Sequence, residues 1–233
     1  MRKILALRSI RPELSQLFDG QGRQGQNITA QESAAVKALD ILQERAEFKA
    51  IVQDVTKEEF KVVFIGEGLN DLPNPMERIF PEAASLSLFA FTLGNRISST
   101  IDGLFAAKDF LLGYFLDKAA SLASEGAVRE IETSYAKALK KQSQDGRLEV
   151  LSYSPGYCGW HISAQKKLFL SLHPEEIGIR LTGGFLMEPL KSVTGVLVAA
   201  EPRIHRFKPK YPFCRLCRDH TCQERQLRVM RNE

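Results

Sequence analysis

Residues 153–160 read Tyr-Ser-Pro-Gly-Tyr-Cys-Gly-Trp, which places a tight turn directly before a cysteine. The Pro155-Gly156 pair defines the turn, because proline presets one backbone angle and glycine accepts conformations that other residues avoid. We expect such a turn to leave backbone amides and the Tyr157 ring beside whatever enters a neighbouring cleft. Ordinary surface turns share this pattern, so the turn alone fits either a functional loop or a simple connection.

The cysteines predict a metal site that joins this turn to the carboxy-terminal tail. The chain has four cysteines, Cys158 in the turn and Cys214, Cys217 and Cys222 in the tail. A Cys-x-x-Cys pair brings two sulfurs to one ion, and tetrahedral zinc or an iron–sulfur cluster then requires two more ligands. Structural zinc, an iron–sulfur cluster, and free or redox-active thiols are the alternatives. His220 could replace one cysteine, although an exposed bystander fits its position as well.

The composition is that of a globular protein large enough to bury a core. Of the 233 residues, 44% are hydrophobic and 26% are charged, which is ordinary for such a protein. We find no signal peptide and no apolar stretch of the roughly 18 residues that a membrane helix requires. We therefore expect a cytoplasmic protein without a membrane partner, in which reduced thiols favour a metal over disulfides.

The positive charge is concentrated in the tail. Residues 201–233 hold nine Lys/Arg and four Asp/Glu, whereas the whole chain carries a net charge of +4. A basic tail could meet nucleic acid or an acidic protein. No aromatic stacking platform accompanies these charges, so we expect a solvated tail and no nucleic-acid partner.

Strand patterns alternate irregularly with helical ones, which predicts an α+β fold. No βαβ unit repeats along the chain, so we expect an α+β sheet domain with a helical segment. The Gly183-Gly184 pair is expected to form a turn. The predicted strands are Lys61–Gly66, Ser85–Gly94, Arg147–Ser152, Ile177–Thr182 and Ser192–Ala199.

Apolar side chains at helical spacing predict the helices. The first is expected to begin at a capping box of Thr29 and Glu32, and the longest is expected to break near Gly103 and at Gly126. The predicted helices are Thr29–Glu47, a short helix after Asn74 with proline at its first position, Asn95–Gln144 and Ser163–Leu172.

Asp117, Ser121 and Glu125 follow one another at intervals of four residues, so they share one face of the long predicted helix. This face could bind a polar or cationic ligand. A solvated helix surface would show the same spacing, and the spacing alone does not separate the two.

Several motifs together resemble the activation domain of vitamin B12-dependent methionine synthase. The resemblance covers about residues 60–225, and its tail, Cys214, Cys217, Cys222 and Arg225, is similar to the stand-alone form of that domain. The motifs are Phe91-Thr-Leu-Gly94, Leu116-Asp117-x-x-x-Ser121-x-x-x-Glu125, Ser154-Pro-Gly-Tyr-Cys-Gly-Trp160, Gln165 with Lys167-Leu-Phe169, Ile177-Gly-Ile-x-Leu-Thr182 and Met187-x-Pro-x-Lys191-Ser192-Val-x-Gly195.

The resemblance implies a more definite fold. It predicts a mixed, mainly antiparallel twisted sheet with flanking helices, plus a metal-pinned C-terminal tail. It also divides the chain into an N-terminal helical extension (1–60), an activation-domain-like α+β domain (61–200) and a cysteine-rich basic tail (201–233) packed on that domain.

The resemblance further implies an accessory protein for the reductive reactivation of a cobalamin- or corrinoid-dependent methyltransferase. In the family, this domain binds S-adenosylmethionine, and the cobalamin is carried by a partner module. A cationic sulfonium needs a carboxylate neighbour. By position this carboxylate is Glu125, while Pro155, Gly156 and Tyr157 form the loop over the ligand. The implied partners are a corrinoid-binding protein or methionine synthase module, and a reductase.

Two positions depart from the family pattern. An arginine usually stands five residues before the tyrosine of Pro-Gly-Tyr, and Ser152 occupies that place. A serine cannot make the bidentate carboxylate contact of an arginine. Gly183 stands where an acidic residue is common. The sequence therefore leaves open whether S-adenosylmethionine binds and whether the chain catalyses a reaction by itself.

Two other functions fit the same residues. A non-catalytic binding module with a structural zinc site would keep the fold and lose the ligand, which Ser152 and Gly183 favour. An iron–sulfur electron-transfer partner of a corrinoid protein would instead use the four cysteines for a cluster.

Overall fold

Seven β-strands are present in the part of the chain that the computed structural model describes, namely residues 2–18, 28–142, 148–208, 210–215 and 222. They are β1 (Arg2–Ala6), β2 (Lys49–Val55), β3 (Ser85–Thr92), β4 (Glu149–Tyr153), β5 (Arg180–Leu181), β6 (Met187–Glu188) and β7 (Ser192–Ala200). Five of them form one sheet in the order β1-β2-β3-β7-β4, with every pair antiparallel, and β5 pairs with β6.

Helices cover both faces of this sheet. They are α1 (Ile28–Arg45), α2 (Lys57–Ile65), α3 (Met76–Ile79), α4 (Asn95–Ala106), α5 (Phe110–Gln142) and α6 (Gln165–Leu172). The first, fourth and fifth helices pack on one face, and the other three pack on the opposite face. The molecule is thus a three-layer arrangement with a separate apolar core on each side of the sheet.

The central strands β3 and β7 are buried on both sides. Phe89 and Phe91 of β3 face the core below α5, whereas Leu88 and Ala90 face the core below α6. A strand that is covered on both faces has no polar alternation, so it appears in the sequence as a continuous apolar run. This is why the sequence pattern identifies both strands.

The face of α5 that packs on α1 is lined by small residues. Ala119, Ala123 and Ala127 are fully buried there, and α1 contributes Ala35 and Ala38 to the same core. Small side chains let two helices approach closely. The long helix α5 is therefore firmly placed relative to the sheet, and so are the polar residues on its outer face.

The predicted α+β fold with a mainly antiparallel sheet is confirmed. Strands lie at three of the predicted positions with small shifts of their ends, and α6 lies within the predicted fourth helix. The Gly183-Gly184 pair falls in the connection between β5 and β6, as expected. Of the predicted strand Ile177–Thr182, only the two residues of β5 are in strand conformation.

The predicted strand Lys61–Gly66 is wrong, because these residues lie in α2 and at its C-cap. Thr56 Oγ1 accepts the N–H of Glu59 at 3.1 Å, and the Glu59 carboxylate accepts the N–H of Thr56 at 2.7 Å. This capping box starts a helix. Phe60, Val63 and Phe64 are then buried at helical spacing, which outweighs the strand preference of the valines.

Two helix boundaries also differ from the prediction. Helix α1 already includes Ile28, so Thr29 lies inside its first turn and does not cap it. The long helical region breaks at 107–109, between α4 and α5, and continues through Gly126. A Cβ at Gly126 would lie 2.9 Å from the Cγ2 atom of Ile10, so this glycine admits a neighbouring side chain and does not end the helix.

The N-terminal segment is part of the main sheet. The predicted helical extension over 1–60 contains α1, but it also contains β1 and β2, and its predicted end falls inside α2. The sequence reasoning missed both strands because β1 is largely exposed and carries Arg2 and Lys3, whereas β2 has polar residues in its second half.

The start of the tail packs against the main domain. His205 is fully buried, with its Nδ1 atom 3.0 Å from the Tyr153 hydroxyl and its Nε2 atom 3.1 Å from the Glu149 carbonyl oxygen. Arg78 donates to the carbonyl oxygens of Ile204 and Arg206. Across the residues placed in the structure, none of the helices has both the length and the apolar character needed to cross a membrane.

Candidate functional site

The turn that follows β4 is anchored at one end and exposed in the middle. Trp160 is 1% exposed, and its ring lies 5.6 Å from Phe60 and 6.0 Å from Phe64, measured between centroids. Tyr157 is 54% exposed. The turn therefore holds a tyrosine at the surface on a rigid base.

Two backbone amides of this turn, those of Gly156 and Tyr157, are used inside the turn itself. The Gly156 N–H donates to the Trp160 carbonyl at 2.7 Å, and the Tyr157 N–H donates to the Ser154 carbonyl at 3.3 Å. Gly156 has φ +92°, a conformation that suits glycine. These two amides therefore do not face a ligand, because the tight turn needs them for its own hydrogen bonds.

The loop between α2 and α3 holds the turn from one side. The Asp71 N–H donates to the Gly159 carbonyl at 2.9 Å, and the Asn70 side chain accepts the His161 N–H at 2.9 Å. Leu69 and Leu72 of this loop are 54% and 66% exposed. We refer to Tyr157, Leu69 and Leu72, the exposed large side chains of these two hydrogen-bonded loops, as the Tyr157 rim.

Strand β7 holds the same turn from another side. A Cβ at Gly195 would lie 2.2 Å from the Tyr153 carbonyl oxygen and 2.9 Å from the Ser154 hydroxyl. No larger residue fits this approach. The glycine thus lets the end of β4 and the start of the turn lie directly against β7.

The polar face of α5 is paired with a lysine that the sequence reasoning did not single out as a site residue. Lys191 Nζ lies 2.7 Å from Asp117 Oδ1 and donates to Ser121 Oγ at 2.9 Å. The Lys191 side chain is 12% exposed, whereas that of Asp117 is 42% exposed. A lysine just before a strand carries no sequence signal for this contact, because its partners are 70 or more residues away.

Glu125 lies one helical turn beyond Ser121 on the same face and is exposed. The Glu132 carboxylate accepts the Ser152 N–H at 2.8 Å, which aligns α5 with β4 at that point. Glu125 precedes Glu132 by seven residues, which is about 10 Å along the helix axis.

Ser152 does not replace the arginine that the family usually has at this position. Ser152 is 6% exposed, and the carboxylate that it contacts, Glu132, is 8% exposed. A serine brings no positive charge to this position, and its N–H is already used by Glu132.

The tail returns to the turn. A Cβ at Gly159 would lie 2.7 Å from the Phe213 ring, and the ring centroids of Tyr211 and Phe213 are 5.3 Å apart in a stacked arrangement. Cys158 directly precedes Gly159, and Cys214 directly follows Phe213. Both cysteines are half-buried.

The predicted metal site lies partly outside the described residues. Cys222 is described and half-buried, but Cys217 and His220 are among the residues that the structure does not describe. Within the described ranges, no group of three or more His, Cys, Asp or Glu side chains could hold a metal ion.

The fold and the site define an α+β domain with a rigid turn and a polar helix face at one end of an antiparallel sheet. A family model described as "Vitamin B12 dependent methionine synthase, activation domain" matches residues 42–210. The chain belongs to this family, which confirms the resemblance seen in its motifs. It is an activation domain of the cobalamin-dependent methionine synthase system.

A solved structure agrees in fold. It is described as "Crystal Structure of the MetH Reactivation Domain bound to AdoHcy" and has a TM-score of 0.58 with 14% sequence identity. The match covers 85% of this chain and 78% of that chain. No curated protein matches the chain in sequence.

Proposed function

We propose that this protein docks on a corrinoid-carrying methionine synthase module and assists its reactivation, with S-adenosylmethionine bound between α5 and the Pro155–Tyr157 turn. The observation that carries the proposal is that Tyr157, which follows β4, and the Lys191 pair, at the start of the antiparallel β7, lie at one end of the sheet. Glu125 is exposed one helical turn beyond Ser121 on the same helix. The matched MetH domain, which was solved with AdoHcy, supports a ligand of this class.

Each residue of the proposed site has a different chemical role. The Glu125 carboxylate would stabilise the positive sulfonium, and the rigid turn with Gly156 at its centre would position the nucleoside. Tyr157 offers a large amphipathic ring at the surface. The partner's corrinoid supplies the cobalt that accepts the methyl group, and a reductase is the proposed source of the electron.

The Tyr157 rim is the proposed docking face for the corrinoid module. Three apolar side chains stand exposed there on two loops that hydrogen-bond to each other. Exposed apolar groups on a rigid base are typical of a binding surface, because little ordering is lost when a partner covers them.

The ligand role is tested by titration calorimetry with S-adenosylmethionine. Glu125→Ala should weaken binding about tenfold, since it removes a charged partner of the sulfonium. Glu130→Ala is the matched control, because Glu130 is also exposed on α5 but lies about 140° around the helix. No binding to the unaltered protein would refute the ligand role and leave the non-catalytic binding module, which the internally bonded amides of the turn favour.

We also propose a metal site formed by Cys158, Cys214, Cys217 and Cys222, with zinc or an iron–sulfur cluster. The contact between Phe213 and Gly159 supports it, because it brings the two chain segments that carry Cys158 and Cys214 together. A metal here would add stability that a short tail cannot supply through a core.

Elemental analysis tests the metal site. The unaltered protein should contain zinc or iron, and Cys217→Ser should lose it. A brown protein with visible absorbance would favour the electron-transfer alternative, and a colourless zinc protein would exclude it. Metal content that is unchanged in Cys217→Ser would refute the proposed ligand set.

A further inference from the structure

The amino-acid end of S-adenosylmethionine carries a carboxylate, and the site lacks the usual partner for it. Ser152 stands where the family has an arginine, and its own neighbour is the buried Glu132 carboxylate. The amides of Gly156 and Tyr157 are occupied within the turn. A ligand carboxylate therefore has neither an arginine at position 152 nor these two amides as its donors.

Lys191 lies at the right end of the sheet to be that donor. Tyr153 pairs with Val196, and the chain then passes Gly195, whose Cβ position would lie 2.9 Å from the Ser154 hydroxyl. The turn thus runs towards Ser192, the first residue of β7, which directly follows Lys191 in the sequence. Lys191 also contacts Ser121, one helical turn from Glu125.

The Lys191 backbone is held on both sides. Its carbonyl oxygen accepts the Leu93 N–H at 3.0 Å. The adjacent Ser192 hydroxyl donates to the Pro189 carbonyl at 2.7 Å and lies 2.9 Å from Thr92 Oγ1. The lysine side chain therefore projects from a fixed point, which reduces the entropy lost when it binds a ligand.

The ammonium group of Lys191 retains one donor. A lysine has three N–H donors, and the contacts found for Lys191 in the described chain use two of them, on Asp117 and Ser121. At 12% exposure the side chain is mostly removed from water, where a charged hydrogen bond is stronger than in solvent.

We infer that Lys191 receives the ligand carboxylate in place of the arginine missing at position 152, with Asp117 and Ser121 holding its ammonium group in position. This inference rests on the proposed binding of S-adenosylmethionine. It makes Lys191 a specificity-determining residue for ligands that carry a carboxylate.

Calorimetry with two matched ligands tests the inference. S-adenosylmethionine and decarboxylated S-adenosylmethionine share the nucleoside, the sulfonium and the amine, and they differ only in the carboxylate. The unaltered protein should bind S-adenosylmethionine about 10- to 100-fold more tightly than the decarboxylated form, as expected for one hydrogen bond to a charged group.

Lys191→Met should reduce this ratio to about one, and Lys191→Arg should retain most of it. Lys137→Met, an exposed lysine further along α5, is the matched control and should leave the ratio unchanged. Circular dichroism checks that the variants are folded. If Lys191→Met does not fold, Lys191→Gln replaces it, since its amide can still donate to Asp117. Lys191→Gln should also lower the ratio, because an amide carries no positive charge for the ligand carboxylate.

A folded Lys191→Met or Lys191→Gln protein that keeps the ratio of the unaltered protein would overturn the inference and leave the proposed function intact. An unaltered protein that binds both ligands equally would do the same. An unaltered protein that binds neither ligand would overturn both, so the two failures are distinguishable.

Discussion

Single residues decide how closely the turn approaches the sheet. Gly195 lies in the middle of β7, where a glycine is normally a disadvantage because it adds no side chain to the core. Here the missing side chain is what allows Tyr153 and Ser154 to lie against β7. One glycine therefore positions the loop that carries Tyr157.

Gly195→Ala should destabilise the protein by about 1–3 kcal/mol, because the added methyl group would push the Tyr153 carbonyl away. The free energy of unfolding in urea measures this. Gly183→Ala is the control, since nothing lies within 4 Å of its Cβ position, and its effect should stay within about 0.5 kcal/mol. Equal effects of the two changes would contradict the claim that Gly195 is needed for the close approach of Tyr153 to β7.

Lys191 shows what residue-scale reasoning from sequence could not find. The motif Met187-x-Pro-x-Lys191-Ser192 marked it as part of the family pattern, but its role depends on Asp117 and Ser121 on a distant helix. The sequence did identify those two residues as one helix face. What it could not provide was the contact between that face and the start of β7.

At the scale of elements, α5 organises the molecule. Its inner face packs on the sheet and on α1, whereas its outer face presents Asp117, Ser121 and Glu125. Further along, Glu132 hydrogen-bonds β4, and the Tyr135 hydroxyl lies 2.7 Å from the Ser85 hydroxyl at the start of β3. One helix thus sets the positions of two strands and of the polar face.

The contact between α5 and β3 should make stability depend on alkaline pH. Burial raises the pKa of Tyr135 above its ordinary value of about 10. The folded state thus favours the neutral phenol. Its contribution to stability is complete below about pH 10 and is lost as the pH rises through the raised folded-state pKa.

Tyr135→Phe should lower the free energy of unfolding by about 1 kcal/mol at neutral pH, since it removes the hydrogen bond to Ser85. It should also remove the decrease in the free energy of unfolding that the ionisation of this tyrosine causes at alkaline pH. Urea unfolding at a series of pH values compares the two proteins. Identical slopes above about pH 10 would refute this role.

At the scale of the whole molecule, the tail closes over the turn. Residues 202–205 pack on α3 and β4, and Phe213 then reaches Gly159. The turn after β4 is consequently held by β7, by the loop after α2 and by the tail. The proposed metal would strengthen the last of these three contacts.

Gly159→Ala should loosen the tail. Gly159 and Gly68 have nearly the same backbone angle, φ +77° and +76°, but nothing lies within 4 Å of a Cβ at Gly68. An alanine at either site should therefore cost a similar backbone strain, about 1–2 kcal/mol. Only Gly159→Ala should also press on Phe213 and on the Cβ atom of Asn74, which lies 3.0 Å away.

Urea unfolding and limited trypsin digestion measure the two parts of this effect. Gly159→Ala should lose more stability than Gly68→Ala and should be cleaved faster after Lys210 and Arg215. Adding Phe213→Ala to Gly159→Ala should recover part of the loss that the clash causes. If Gly68→Ala and Gly159→Ala lose stability equally and resist trypsin equally, the tail does not depend on this contact.

The sequence by itself determined the family, the α+β class, the buried central strands and the turn at Pro155-Gly156. These follow from local patterns, because a motif or an apolar run is written in neighbouring residues. Only the tertiary structure decided that Lys61–Gly66 belongs to a helix and its cap, that the turn uses its own amides, that Lys191 pairs with α5 and that Phe213 covers Gly159. The hydrogen bonds of the turn, the Lys191 pair and the Phe213 contact depend on which segments meet in space. The helix over Lys61–Ile65 depends on burial against a core, which local propensity does not reveal.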